Sequence, residues 1–261
     1  MKKKYDFVFG IGAACLCSQM LRKMNLQFTS CPFDWLFGTD FSGRVDILTS
    51  GFADFINKED LVFTGGQNGD EHNPCDIYTD TKNGLTFNHD FPQGVPLDES
   101  YPAVRAKYDR RIGRLMANLD RFRDILIVYV ETPANTETTD AETLKKGYDK
   151  IAARFPDKNI DLLYIAVADD RREEKIGEHI LKLSFNYKKA GGIPPHDARV
   201  LRTAVKDIKV RQTIPDRWRH FVFKMKKRLK RLKKAALLPL FQIFAAESLS
   251  RPDRPADRAD L

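Results

Sequence analysis

Cys15 ends a Gly10-Ile11-Gly12-Ala13-Ala14-Cys15 stretch in which a run of β-formers, Tyr5 to Phe9, gives way to a helical pattern over Ala13 to Met24. A thiol in the first turn of a helix sits beside unpaired amide N–H groups and the positive end of the helix dipole. That setting favours a thiolate and offers donors to an oxyanion. The chemistry it suits is nucleophilic attack on an acyl carbon. A buried, inert thiol is the alternative that position alone leaves open.

Such a nucleophile needs a base, and an imidazole titrates in the useful range. Of the five histidines, His89 has the most rigid setting, at the end of a hairpin strand between Asn88 and Asp90. His72 falls in a polar loop, His179 on a surface-like stretch, His196 after a double proline and His220 in a basic helix. Asp90, Asp34 and Asp76 are the carboxylates that could orient the imidazole. Asp34 belongs to the box Pro32-Phe33-Asp34-Trp35. Proline fixes the chain there, the aromatics bury area, and the carboxylate is either a turn cap or, with Trp35, a ligand contact. Arg110 and Arg111 each fall beside Arg114 on a helix, giving forked donors for a phosphate or carboxylate; a solvated helix face is the plainer reading.

The elements that must position these groups read as an α/β fold. Ser42 to Asn57 has helical spacing with Ser42 as N-cap, and Leu61 to Phe63 is a short strand before a Gly65-to-Asp70 loop. Asp76 to Asp80 and Leu85 to His89 flank Asn83-Gly84, a strong hairpin signal. Tyr101 to Phe122 is a long amphipathic helix. Strand Ile125–Val130, helix Ala141–Phe155 and strand Asp161–Ala168 form a βαβ unit, and Ile180 to Tyr187 reads as a further strand. The expected architecture is a mixed, mainly parallel open sheet flanked by helices, with a β-hairpin insertion and a C-terminal basic amphipathic helix. The expected domains are 1–213 for the α/β body, 214–247 for the basic helix and 248–261 for a disordered tail.

Charge narrows the partners. The formal net charge is +8, yet the Lys224–Lys234 run alone holds eight basic and no acidic residues, so the rest of the chain is balanced. A nucleic-acid-binding body needs phosphate-neutralising charge on its folded surface, so no specific nucleic acid partner is expected. Segment 214–246, basic and then apolar, is too short to span a bilayer in its apolar part and suits an anionic membrane surface, or else packs on its own domain. Cys15, Cys17, Cys31 and Cys75 show no C-x-x-C pair, which fits a reduced, cytoplasmic setting, with peripheral attachment to the inner membrane if the basic helix binds there. Neither a metal nor a cofactor is implied. The third glycine of a dinucleotide fingerprint is replaced by Cys15, and no acidic residue ends a second strand.

Taken together, Gly12-Ala13-Ala14-Cys15, Leu21, Pro32-Phe33-Asp34-Trp35, His89-Asp90-Phe91 and Arg110-Arg111 with Arg114 resemble the bacterial family of papain-like cysteine peptidases, a domain of unknown function. The Pro-Phe-Asp-Trp box is the specific part, and the likeness covers about the first half of the chain. It implies a Cys–His pair, Cys15 as nucleophile and His89 as general base, acting on a peptide or other acyl substrate. Two features depart from papain-like enzymes. No glutamine precedes Cys15, so an oxyanion hole falls to the helix-start amides, and the βαβ section suits an open sheet better than the papain arrangement. A different class of function remains: a non-catalytic or glycan-directed protein of surface-polysaccharide biosynthesis, binding an acidic or phosphorylated small molecule or glycan at the membrane face.

Overall fold

The computed structural model describes residues 1, 4–12, 14–68, 73–131, 139–185, 199–211 and, within 212–261, only 218, 221, 222 and 225. Residues 1–211 form one compact unit and 212–261 a second. His72, His196, His220, the Lys224–Lys234 run as a whole and the 248–261 tail lie outside the described residues. Trp218, Phe221 and Met225 are helical and exposed. No helix among the described residues is long and apolar enough to cross a membrane.

The chain opens with β1 (Lys4–Tyr5), β2 (Phe7–Gly10) and α1 (Ala14–Lys23). Next come β3 (Leu36–Gly38), α2 (Phe41–Thr49), β4 (Leu61–Asn68), β5 (Cys75–Asp80) and β6 (Leu85–Pro92). Then α3 (Leu97–Arg121), β7 (Asp124–Val130), α4 (Ala141–Arg154) and β8 (Asn159–Val167) follow. The body ends with β9 (Arg172–Ile176), β10 (Ile180–Phe185), α5 (Arg199–Ala204) and β11 (Lys209–Val210). The main sheet has the order β2-β7-β8-β10-β9, parallel except for the β9 edge. β1 and β11, also parallel, form a separate two-stranded sheet.

β7 explains the two-faced core. Its apolar run alternates, with Ile125, Ile127 and Tyr129 joining one cluster and Leu126, Val128 and Val130 the other. The first cluster takes residues of α2, α3, α4 and the antiparallel sheet; the second takes residues of α1. Strands buried on both faces need apolar residues throughout, which is why no alternation is visible in their sequence.

The hairpin insertion is larger than its sequence signal. It is a four-stranded antiparallel sheet, β3-β6-β5-β4, and β4 runs to Asn68 through register shifts near Gly65 where a loop is expected. α2 is shorter than its apolar spacing suggests: Asp40, not Ser42, caps it by accepting from Gly43 N at 2.8 Å, and it ends at Thr49. Phe52 and Ile56 then take positive φ, so Phe52 and Phe55 keep packing against Phe33 and Phe87 from a turn rather than a helix. α3 begins a turn early, at Leu97, with Asp98 and Glu99 complementing its dipole.

Candidate functional site

Gly10 and Gly12 set the position of Cys15 by allowing close approach. A Cβ on Gly10 would meet Cys17 Sγ at 2.6 Å, and one on Gly12 would meet the Val130 amide nitrogen at 2.5 Å. Ala14 carries φ of 58°, and α1 starts there. Cys15 thus lies in the first turn of a helix that begins just past the carboxyl end of β2, an edge where open α/β sheets place ligands. Arg44, wholly buried, anchors this turn to the segment after the box, donating to the carbonyls of Ile11, Gly12, Leu36 and Gly38 at 3.3, 3.0, 3.0 and 2.9 Å.

Of the four free thiols Cys15 alone is half-exposed; Cys17, Cys31 and Cys75 are 2, 3 and 3% exposed. Cys17 points at the Val128 carbonyl, 3.4 Å away, and burial pushes its thiol up to about 12. The expectation that the helix start lowers the Cys15 pKa needs correcting. Burial, reinforced by the Asp34 carboxylate, raises it despite an opposing bond from its own backbone amide.

Asp34 is the hub of the surrounding network. Its carboxylate, 2% exposed, accepts from Gln27 Nε2 at 2.8 Å, from Cys31 N at 3.0 Å and from Arg22 Nη2 at 3.0 Å. Burial nonetheless raises its pKa, with these donors and the Arg22 charge opposing. The same carboxylate raises the thiols of Cys15, Cys17 and Cys31 and the phenol of Tyr108, so all four lie within its field. Trp35, with φ of 74°, has the Arg22 guanidinium 5.7 Å from its ring centroid.

His89 approaches from β6. Leu36 pairs with Phe87 in antiparallel register, which leads the Pro32–Trp35 box toward the Asn88–Asp90 segment. His89 itself is exposed, and no hydrogen bond joins it to Cys15. Asp90 pairs instead with Lys107 and accepts from the Tyr108 hydroxyl at 3.0 Å. Asp76 accepts from Gly94 N at 2.9 Å. Among the described residues, the imidazole that does hold a carboxylate is His179, whose Nδ1 is 2.9 Å from Asp161 near the amino end of β8, the sheet edge opposite Cys15.

The arginines divide. Arg111 and Arg114 join Arg22 in lowering the Cys31 pKa, while Arg110 is exposed and makes no polar contact among the described residues. Arg22, Gln27, Arg44 and Tyr108 are site residues that the motif reading passes over. Arg22 had a signal, since seven residues, two helical turns, separate it from Cys15; Arg44 had none. Glu131, 2% exposed just past β7, accepts from Tyr164 Oη at 2.5 Å and Val167 N at 3.0 Å. Among the described residues no group of three or more His, Cys, Asp or Glu side chains is placed to hold a metal ion.

Comparison with known proteins identifies the family. A family model described as "Putative papain-like cysteine peptidase" matches residues 6–169, from β2 through β8 and so across every site segment above. A curated relative, "Uncharacterized protein R408" of Acanthamoeba polyphaga mimivirus, is 25% identical over 138 residues, which is 48% of this chain and 61% of that protein. No solved structure matches. With more than half its length covered by the family model, the chain belongs to the papain-like cysteine peptidase family of that description.

Proposed function

We propose that the protein is a thiol-dependent acyl hydrolase or transferase in which Cys15 is the nucleophile and His89 the general base. The observation that carries the reading is the contrast among the thiols: Cys15 alone has access to solvent, at a helix start beyond the carboxyl edge of a parallel sheet. Family membership supports the chemistry. The register of β3 on β6 supports His89, because it brings that histidine's strand toward the box whose Asp34 acts on Cys15.

In this reaction the Cys15 Sγ–H proton passes to the His89 imidazole as sulfur attacks the acyl carbon. Collapse of the tetrahedral adduct breaks the acyl bond, and the imidazolium returns the proton to the leaving group. Water or another acceptor then releases the acyl group from sulfur. The raised thiol pKa assigns real work to the base, since little thiolate exists at neutral pH without it. Catalytic hydrogen bonds are often long or poorly aligned before substrate binds, so the lack of a Cys15–His89 bond is compatible with this role.

The test is the pH dependence of alkylation by iodoacetamide, together with hydrolysis of a p-nitrophenyl ester, for the wild type, Cys15→Ala and His89→Ala. Cys15→Ala is expected to abolish both at neutral pH, and His89→Ala to slow ester hydrolysis by 10²-fold or more. Ester hydrolysis undiminished in Cys15→Ala would refute the nucleophile; an unchanged rate in His89→Ala would refute the base.

A further inference from the structure

Arg22 of α1 and Arg114 of α3 both bond Ser30, in the turn that leads into the box, and Arg111 lies one helical turn before Arg114 on the same helix. Arg22 donates to Ser30 Oγ at 2.8 Å and to Asp34 at 3.0 Å, and Arg114 donates to the Ser30 carbonyl at 3.3 Å. Arg111 lies over the Tyr108 ring, 5.0 Å from its centroid. Its Nη1 is buried and has no hydrogen-bond partner, and the same holds for Arg22 Nε. Among the described residues, only four buried side-chain polar atoms lack partners. The other two, Gln27 Oε1 and Asn88 Oδ1, belong to a residue bound to Asp34 and to the neighbour of His89.

An unmade bond at a buried donor costs about 1–3 kcal/mol, and native structures carry few, so the two orphaned guanidinium N–H groups mark a place where an acceptor completes the set, whereas the two amide oxygens call for donors and stand outside it. Charge says what kind of group that is. Among the described residues, Asp34 is the only carboxylate paired with these three cations; Asp90 is taken by Lys107. Two positive charges remain in excess. A carboxylate ligand supplies one negative charge, whereas a phosphate monoester carries about −1.5 to −2 at neutral pH and several acceptor oxygens that match guanidinium forks.

We propose that Arg22, Arg111 and Arg114 form a phosphate-binding subsite beside Asp34 and Cys31, which takes a phosphate monoester or free phosphate. Arg22 lies two turns after Cys15 on the same helix, so a phosphate held here would belong to substrates presented to that thiol; that last step rests on the reading of Cys15 above, while phosphate binding itself does not.

The test titrates the full chain with inorganic phosphate, phenyl phosphate and acetate at constant ionic strength, following the thermal unfolding midpoint. Both phosphates are expected to raise it saturably, and acetate to act at least tenfold more weakly. Arg114→Gln, at an exposed position, and Arg111→Lys, which keeps the charge but loses the fork, are each expected to weaken phosphate binding tenfold or more. Arg110→Gln is expected to bind as the wild type does. Equal midpoint shifts across all the arginine variants, or a preference for acetate, would overturn the subsite. Binding of inorganic phosphate with exclusion of phenyl phosphate would overturn the monoester assignment. Loss of ester hydrolysis in His89→Ala with phosphate binding intact supports both readings, and undiminished hydrolysis in Cys15→Ala with phosphate binding intact removes only the catalytic one.

Discussion

The Arg44 guanidinium donates to the Gly12 carbonyl at 3.0 Å and to the Gly38 carbonyl at 2.9 Å, so one buried side chain ties the turn before Cys15 to the strand after Trp35. Among the described residues it forms no ion pair, and burial lowers its pKa to about 10. Truncation by Arg44→Ala would leave these carbonyls and those of Ile11 and Leu36 without their donor inside a cavity. The expected loss is about 3–5 kcal/mol, read by urea unfolding. Arg44→Lys keeps a charge but reaches fewer acceptors, and should fall between the two. A loss under about 1 kcal/mol for the alanine variant would mean that other contacts hold the two segments together.

The sheet and its helices were legible because β7 and β8 are long apolar runs separated by a capped helix, and because Asn83-Gly84 punctuates its hairpin. Cys15, the box and His89 were legible as types and spacings. What the sequence hid was the distribution of partners. Asp90 reads as a neighbour for His89, but β6 turns it toward Lys107 and Tyr108 on α3, a contact set by tertiary packing and invisible to local spacing. Arg44 was hidden for the same reason, since its acceptors are backbone carbonyls up to 33 residues away. The Cys15 pKa was misjudged because helix-start dipoles are a local property, whereas burial and the Asp34 field depend on the finished fold.

Close packing at the start of α1 predicts a coupled pair. Gly10→Ala puts a Cβ 2.6 Å from the Cys17 sulfur, in a core where overpacking costs about 1–3 kcal/mol. Cys17→Ala removes that sulfur and leaves a small cavity. The double variant should be more stable than the sum of the two single losses predicts, by about 1 kcal/mol in a double-mutant cycle. Strict additivity would mean that the new methyl is accommodated by movement of α1 instead.

Asp90 offers a way to separate support from catalysis. Because it binds Lys107 and the Tyr108 hydroxyl, Asp90→Ala should destabilise the fold by about 2–3 kcal/mol, and Tyr108→Phe by about 1 kcal/mol. Neither change should shift the pH dependence of Cys15 alkylation if Asp90 only pins β6 to α3. A shift in that profile with Asp90→Ala, absent in Tyr108→Phe, would instead place Asp90 as the orienter of His89.

Asp34 should set the titration of the nucleophile. A nearby carboxylate disfavours the thiolate, and Asp34 adds to the burial that raises the Cys15 pKa. Asp34→Asn removes the negative charge while keeping an oxygen for Cys31 N, Gln27 and Arg22. The sign follows directly: with repulsion gone and Arg22 released from its ion pair, the Cys15 thiolate gains, so its alkylation profile moves to lower pH. At pH 8 the rate of iodoacetamide labelling at Cys15 should therefore rise several-fold. Cys31 and Cys75 remain buried and should stay unlabelled in the folded variant. A profile unmoved in Asp34→Asn, with the fold intact by circular dichroism, would leave burial as the sole cause of the raised thiol pKa and would detach the box from the chemistry of Cys15.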